Sequence, residues 1–188
     1  ISDGRFVLGL GAGWQENEHG QYGIDLPPPG PRLRQFEEAC EVIRALRDEH
    51  RATFDGDYYQ LRDARMEPKP VGPMPLMIGG AGERKTLRLV AEYADACNIF
   101  DTPELAHKLQ VLRDHCDRLG RDYAEIEKTA QVRFDLGPHG ERVEQTIEHL
   151  HELAELGIEV AHGTLVNVTR PGTLELMAER VIPAAAAL

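Results

Sequence analysis

The run Pro75-Leu76-Met77-Ile78-Gly79-Gly80-Ala81-Gly82-Glu83-Arg84-Lys85 decides how the rest of the chain is read. Leu76 to Ile78 is apolar and too short for a helix, so it reads as a buried strand. Gly79, Gly80 and Gly82 remove side chains where the backbone turns sharply, and they let amide groups approach a ligand closely. From Thr86 a helical period takes over, with Leu87, Val90, Ala91 and Ala94 on one face. Arg84 and Lys85 then fall in the first helical turn, the unfavourable end of the helix dipole for cations. An anion at that N-terminus removes the conflict, and helix N-termini are ready phosphate sites. The plain alternative is a tight strand-to-helix turn with two solvated cations. The spacing matches neither G-x-G-x-x-G nor the P-loop.

On the N-terminal side, Phe6-Val7-Leu8-Gly9-Leu10 reads as another strand, apolar almost throughout as in strands buried on both faces. Gly11 and Gly13 follow, and then a loop carrying Trp14, Glu16, Glu18 and Tyr22. Trp14, the single tryptophan, reads either as a ring beside a planar ligand or as a core or rim aromatic. Pro27 to Pro31 breaks the chain. Arg32 to about Arg47 is helical, with Leu33, Phe36, Cys40, Ile43 and Leu46 at helical spacing. Residues 50–75 form an excursion within the domain. It holds a hairpin around Asp55-Gly56 and a proline-rich feed into the Leu76 strand, and connections of that length are usually lids or insertions.

On the C-terminal side the alternation continues. Ala96 to Phe100 is a strand, and Asp101-Thr102-Pro103-Glu104 opens a helix whose stripe is Leu105, Leu109, Leu112, Cys116 and Leu119. Thr129 to Phe134 is a strand, Glu141 to Leu156 a helix, and Val160 to Val166 a strand. A last helix runs from Thr173 to about Ile182, stopped by Pro183. Five strands, each followed by helix, give an α/β protein with right-handed crossovers. That is either an open doubly wound sheet or part of a (β/α)8 TIM barrel. A complete barrel takes about 250 residues, so five units and an abrupt start fit a barrel without its first three.

The chain has 188 residues and a net charge of −11, which opposes binding to nucleic acid or an anionic membrane. Its three cysteines are scattered, as in a reducing cytoplasmic setting, and no apolar run approaches a membrane span. No metal site is expected from the eight histidines. His149 and His151 point to opposite sides of a helix, His115 and Cys116 are adjacent, and H-E-x-x-H is absent. A G-x-S-x-G elbow is also absent. His162 reads as a core or rim histidine. Glu16 and Glu18 are solvated carboxylates, though their loop opens at a strand end where α/β proteins place ligands.

Three segments together resemble the luciferase-like monooxygenase superfamily, in particular its class dependent on the deazaflavin coenzyme F-420. They are Gly4-Arg5-Phe6-Val7-Leu8-Gly9-Leu10-Gly11-Ala12-Gly13-Trp14 with Glu18 and Tyr22-Gly23; Phe54-Asp55-Gly56-Asp57-Tyr58-Tyr59 leading to Glu67-Pro68-Lys69-Pro70; and Pro75 to Arg84 with Ala94-Asp95-Ala96-Cys97-Asn98 behind it. Ala81 stands where the family often has Ser, and Cys97 where it often has Trp. The resemblance implies a (β/α)8 barrel of which residues 1–188 are the part from the fourth strand onward, with 50–75 as an insertion. It implies a flavin- or deazaflavin-dependent oxidoreductase moving hydride between F-420, or alternatively FMN, and a small organic substrate. Gly79, Gly80, Ala81 and Gly82 would hold the cofactor phosphate, with Glu83 capping and Arg84 assisting. Gly11, Gly13 and Trp14 would line the mouth beside the rings. A homodimer is expected, and this piece alone is expected to be inactive. The catalytic residues are unknown, since the absent units would carry part of the pocket. Two other readings stand beside this one: a non-catalytic flavin-binding barrel, and an unrelated barrel enzyme binding a sugar phosphate.

Overall fold

A computed structural model describes residues 2–188, and the chain packs as two compact units. The first holds residues up to 97 together with 110–126, and the second holds 98–109 and 127–188.

In the first unit, β1 (Leu8–Leu10) leads through α1 (Glu16–Tyr22) to the long α2 (Pro29–Asp48). A hairpin of β2 (Ala52–Asp55) and β3 (Gln60–Ala64) follows, then β4 (Leu76–Gly79), α3 (Thr86–Tyr93) and the start of β5 (Ala96–Phe100). The hairpin turns where the Asp55-Gly56 signal predicts, with Gly56 N donating to Tyr59 O at 2.9 Å. Glu38 of α2 fixes its tip by accepting from the amides of Asp57, Tyr58 and Tyr59 at 2.8–3.0 Å. Leu76 and Ile78 of β4 are buried against Leu87, Leu89, Val90 and Ala91 of α3, all at most 1% exposed. Burying each of the large side chains contributes roughly 1.5–3 kcal/mol. At the N-terminal end of β4, Asp95 Oδ2 accepts from Leu76 N and from Arg47 Nη1, both at 2.8 Å. Lys69 Nζ closes the C-terminus of α2 on the carbonyls of Leu46, Arg47 and Glu49, neutralising acceptors that a helix end leaves orphaned.

The second unit holds the rest of β5, the start of α4 (Leu105–Leu119), β6 (Glu127–Phe134), α5 (Val143–Glu155) and β7 (Val160–Leu165). It ends in a helix running from α6 (Thr173–Leu176) through a π turn (Met177–Val181) into α7 (Ile182–Ala185). β6 and β7 pair in parallel from Thr129–Val160 to Phe134–Leu165. Gly163 is required there, because a Cβ would lie 1.7 Å from Val132 O. Ala130, Val132 and Phe134 are buried with Leu150 and Leu153 of α5.

Strand order in the five-stranded sheet is β1-β4-β5-β6-β7, with the hairpin apart. A doubly wound sheet reverses its order at a switch point. Here the order follows the chain throughout, the singly wound sense of a (β/α)8 barrel.

Five local expectations are corrected. β1 is shorter than the apolar run: it begins at Leu8, and Phe6 and Val7 precede it, 52% and 43% exposed among the described residues. The expected loop after Trp14 contains α1, closed by Gly23 in the left-handed conformation. Pro29 opens α2 at its first turn, where the missing N–H costs nothing, instead of breaking the chain. Arg84 and Lys85 precede α3; Lys85 is its N-cap residue, so the dipole conflict is smaller than the sequence suggests. Pro183 does not end the last helix. The π turn before it widens the backbone, which lets a residue without an N–H sit inside.

Candidate functional site

β1 and β4 are parallel and in register, with Leu8 opposite Leu76, Gly9 opposite Met77 and Leu10 opposite Ile78. Both strands therefore emerge at the same end, and Gly11 leaves β1 beside the point where Gly79 closes β4. A Cβ on Gly79 would sit 3.8 Å from Leu10 O. The two glycine turns that the sequence marks out, far apart along the chain, are neighbours at one end of the paired strands.

In the second turn, Gly80 has φ +125°, a conformation that L side chains rarely adopt. A Cβ at Gly80 would lie 3.2 Å from Thr86 Cγ2, and one at Gly82 would lie 2.9 Å from Thr86 Oγ1. Thr86, the first residue of α3, thus fills the space beneath the turn. Leu87 N donates to Gly82 O at 3.0 Å and ties the turn to the helix. The amides of Gly80, Ala81 and Gly82 donate to no protein acceptor among the described residues. Gly80 and Ala81 are half-buried, and Gly82 and Arg84 are exposed. Lys85 caps α3 with no side-chain hydrogen bond. Beneath the far side of the turn, Nε2 of His115 lies 2.7 Å from Glu83 O. His115 comes from α4 and is 8% exposed.

In the first turn, Gly13 has φ +80°, and its Cβ position faces His19 Nε2 at 3.4 Å and Leu26 Cδ1 at 3.5 Å. α1 folds His19 back over this turn, leaving its Nδ1 buried with no hydrogen-bond partner among the described residues. Trp14 is 77% exposed, so residues 2–188 do not take it into their own core. Glu16 and Glu18 are exposed in the first turn of α1.

The arrangement fits a phosphorylated ligand. Amides without protein acceptors among the described residues lie just ahead of a helix, no Cβ blocks 79, 80 or 82, and a buried imidazole nitrogen with no partner among those residues lies at the adjoining turn. The register brings the turn that begins at Gly11 beside the turn that begins at Gly79, so Gly11, Gly13 and Trp14 follow one strand end and Gly80, Ala81, Gly82, Glu83 and Arg84 follow its neighbour.

Sequence reasoning missed two residues here. Thr86 looks like any first-turn threonine, and only the collision geometry shows its place. His115 did carry a signal: it falls beside the apolar stripe of α4, between Leu112 and Cys116, where a polar side chain needs a partner.

The second unit carries its own polar groups. By strand alternation, Thr129, Gln131 and Arg133 share one face of β6, and their register partners Val160, His162 and Thr164 share that of β7. Arg133, His162 and Thr164 are exposed, so His162 is a surface residue of β7 and not a core one. Thr129 Oγ1 donates to Asn98 Oδ1 at 2.9 Å. At the end of β5, Asp101 Oδ2 lies 2.7 Å from His149 Nε2, while His149 Nδ1 faces Glu152 Oε2 at 3.1 Å. The hydrogen bond to Asp101, with help from Glu152, raises the His149 pKa against a smaller burial effect. Among the described residues, no group of three His, Cys, Asp or Glu is placed to hold a metal ion, and no helix is long and apolar enough to cross a membrane.

Comparison with known proteins agrees with this architecture. A family model described as luciferase-like monooxygenase matches residues 1–155. An F420-dependent glucose-6-phosphate dehydrogenase of Kineococcus radiotolerans is 30% identical over 144 residues, 73% of this chain and 42% of that protein. The pyrimidine monooxygenase RutA of Allorhizobium ampelinum is 34% identical over 98 residues, 50% of this chain and 26% of that one. The chain spans less than half the length of these curated relatives. A solved F420-dependent secondary alcohol dehydrogenase, in complex with an F420-acetone adduct, superposes with a TM-score of 0.80 at 21% identity, covering 97% of this chain and 70% of that one. The fold is therefore that of luciferase-like barrels, of which this chain holds part, and the unrelated-barrel reading falls away. The chain belongs to the luciferase-like monooxygenase family.

Proposed function

We propose that the rim formed by Gly11, Gly13, Trp14 and Gly79 to Arg84 binds the phosphate-bearing part of coenzyme F-420, with FMN as the alternative, in an oxidoreductase acting on a small organic molecule. The observation that carries this reading is the in-register pairing of β1 and β4, which sets two glycine turns side by side with free amides between strand end and helix. The family supports it, since its named relatives include F420-dependent dehydrogenases and a pyrimidine monooxygenase.

When bound, the cofactor supplies the hydride chemistry. The chain's own part is to hold and orient. Amides of Gly80, Ala81 and Gly82 donate to the phosphate, and the positive end of α3 and the exposed Arg84 offset its charge. Glu83 contributes its main chain to the turn. Trp14 offers an exposed aromatic face beside the other turn, and Gly11 and Gly13 keep side chains out of the mouth. We read residues 1–188 as one partial barrel domain with 50–75 inserted, working as a cytoplasmic homodimer. Three buried free cysteines support a reducing compartment.

The test is titration of oxidised F-420 and of FMN into the full-length protein. Micromolar or tighter binding of one of them is expected, and binding of neither removes the proposal. Turnover with a reduced cofactor separates an enzyme from a flavin-binding protein that does not react.

A further inference from the structure

We infer that His115 is a positioning residue for the phosphate turn: it anchors the Glu83 carbonyl and so aims the Arg84 amide, with those of 80–82, at the cofactor phosphate. This rests on the function proposed above for that turn.

His115 is 8% exposed on α4, and its Nε2 lies 2.7 Å from Glu83 O. A carbonyl oxygen only accepts, so Nε2 carries the hydrogen and donates. The peptide joining Glu83 to Arg84 is planar and trans, which sets its C=O and N–H in opposite directions. With the carbonyl held toward a buried imidazole, the Arg84 N–H faces away from that imidazole, toward the open side of the turn. It donates to no protein acceptor among the described residues, as with Gly80, Ala81 and Gly82. The turn is thus held at two carbonyls, by Leu87 N on Gly82 O and by His115 on Glu83 O. Its amide groups are left for a ligand. Both anchors act on carbonyls of the turn, which makes the imidazole a positioning group.

The experiment compares wild type, His115→Leu and His115→Gln in the full-length protein. Each is titrated with a phosphorylated cofactor and its phosphate-free counterpart: FMN against riboflavin, and F-420 against the phosphate-free ribityl-deazaflavin. Thermal melting is followed in parallel. The readout is the ratio of the two affinities, which a general loss of packing does not move. Wild type is expected to prefer the phosphorylated form. His115→Leu removes the donor, and that preference should fall by about tenfold or more, as for one charge-assisted hydrogen bond weakened or misdirected. His115→Gln, whose Nε2 amide reaches a similar position, should restore most of the preference. If His115→Leu does not fold, His115→Asn, a donor one bond shorter, takes its place and should show the same fall. A wild-type preference kept intact in both Leu and Asn variants overturns the role of His115 while leaving the phosphate turn standing. A wild type indifferent to the phosphate removes the turn's function and this inference with it.

Discussion

Gly80→Ala tests the phosphate turn most directly. Gly80 has φ +125°, so a methyl group there meets two separate penalties. Holding an L residue in that backbone region costs about 1–3 kcal/mol. The new Cβ also stands 3.2 Å from Thr86 Cγ2, tighter than ordinary contact, and Thr86 is β-branched with little freedom to yield. The sum should lower the melting temperature by several degrees, at roughly 2–4 °C per kcal/mol for a chain of this size. If the turn relaxes by swinging the 80–81 peptide, one amide is lost to the phosphate. A hydrogen bond to a charged group is worth about 1.5–3 kcal/mol, so cofactor affinity should fall roughly 10- to 150-fold. Adding Thr86→Ser removes the Cγ2 contact but keeps the strain, and should recover less than half of the stability loss. Gly157→Ala is the control. Gly157 has φ +91° after α5, with nothing within 4 Å of its Cβ position. It should lose comparable stability and no cofactor affinity. The assays are chemical denaturation and cofactor titration. A Gly80→Ala protein that binds like wild type, despite measurable destabilisation, would refute the assignment of that amide to the phosphate.

Other outcomes follow from the same geometry. His149 has its pKa raised by Asp101, so its contribution to stability is complete below the unfolded value of 6.5 and is lost as pH rises through the folded value. The stability gap between wild type and His149→Gln should therefore shrink as pH rises above 6.5, and Asp101→Asn should weaken that dependence, leaving the part that Glu152 supplies. A gap that widens with pH would mean the ring is held neutral. Trp14, the single tryptophan and 77% exposed, should emit near the aqueous limit and be strongly quenched when a flavin or deazaflavin binds. Unchanged emission at saturation places the ring system elsewhere. Cys40 is fully buried and its thiol is pushed up to about 12, so it should resist alkylation in the native protein and react only on unfolding.

Much of the fold was legible because local signals agreed with one another. Leu76 to Ile78 bounded by glycines, and the stripe on α3 from Leu87 to Ala94, depend on periodicity within a few residues, and the elements stand where that periodicity puts them. The misreadings arose where local signals compete. Proline can break a chain or open a helix, and Pro29 opened α2 while Pro183 was absorbed in a π turn. Glu16 to Tyr22 has too weak an apolar pattern to announce a helix, and none of its residues is buried.

The sequence by itself determined the βα alternation, the glycine turns and the family they signify, since each is written in composition and spacing along the chain. Only the tertiary structure decided that strand order follows the chain without reversal, that Gly11 stands beside Gly79, and that Thr86 and His115 shape the turn from below. Those relations join residues tens of positions apart. They are fixed by strand register and by which helix face meets the core, quantities that no short stretch of sequence encodes.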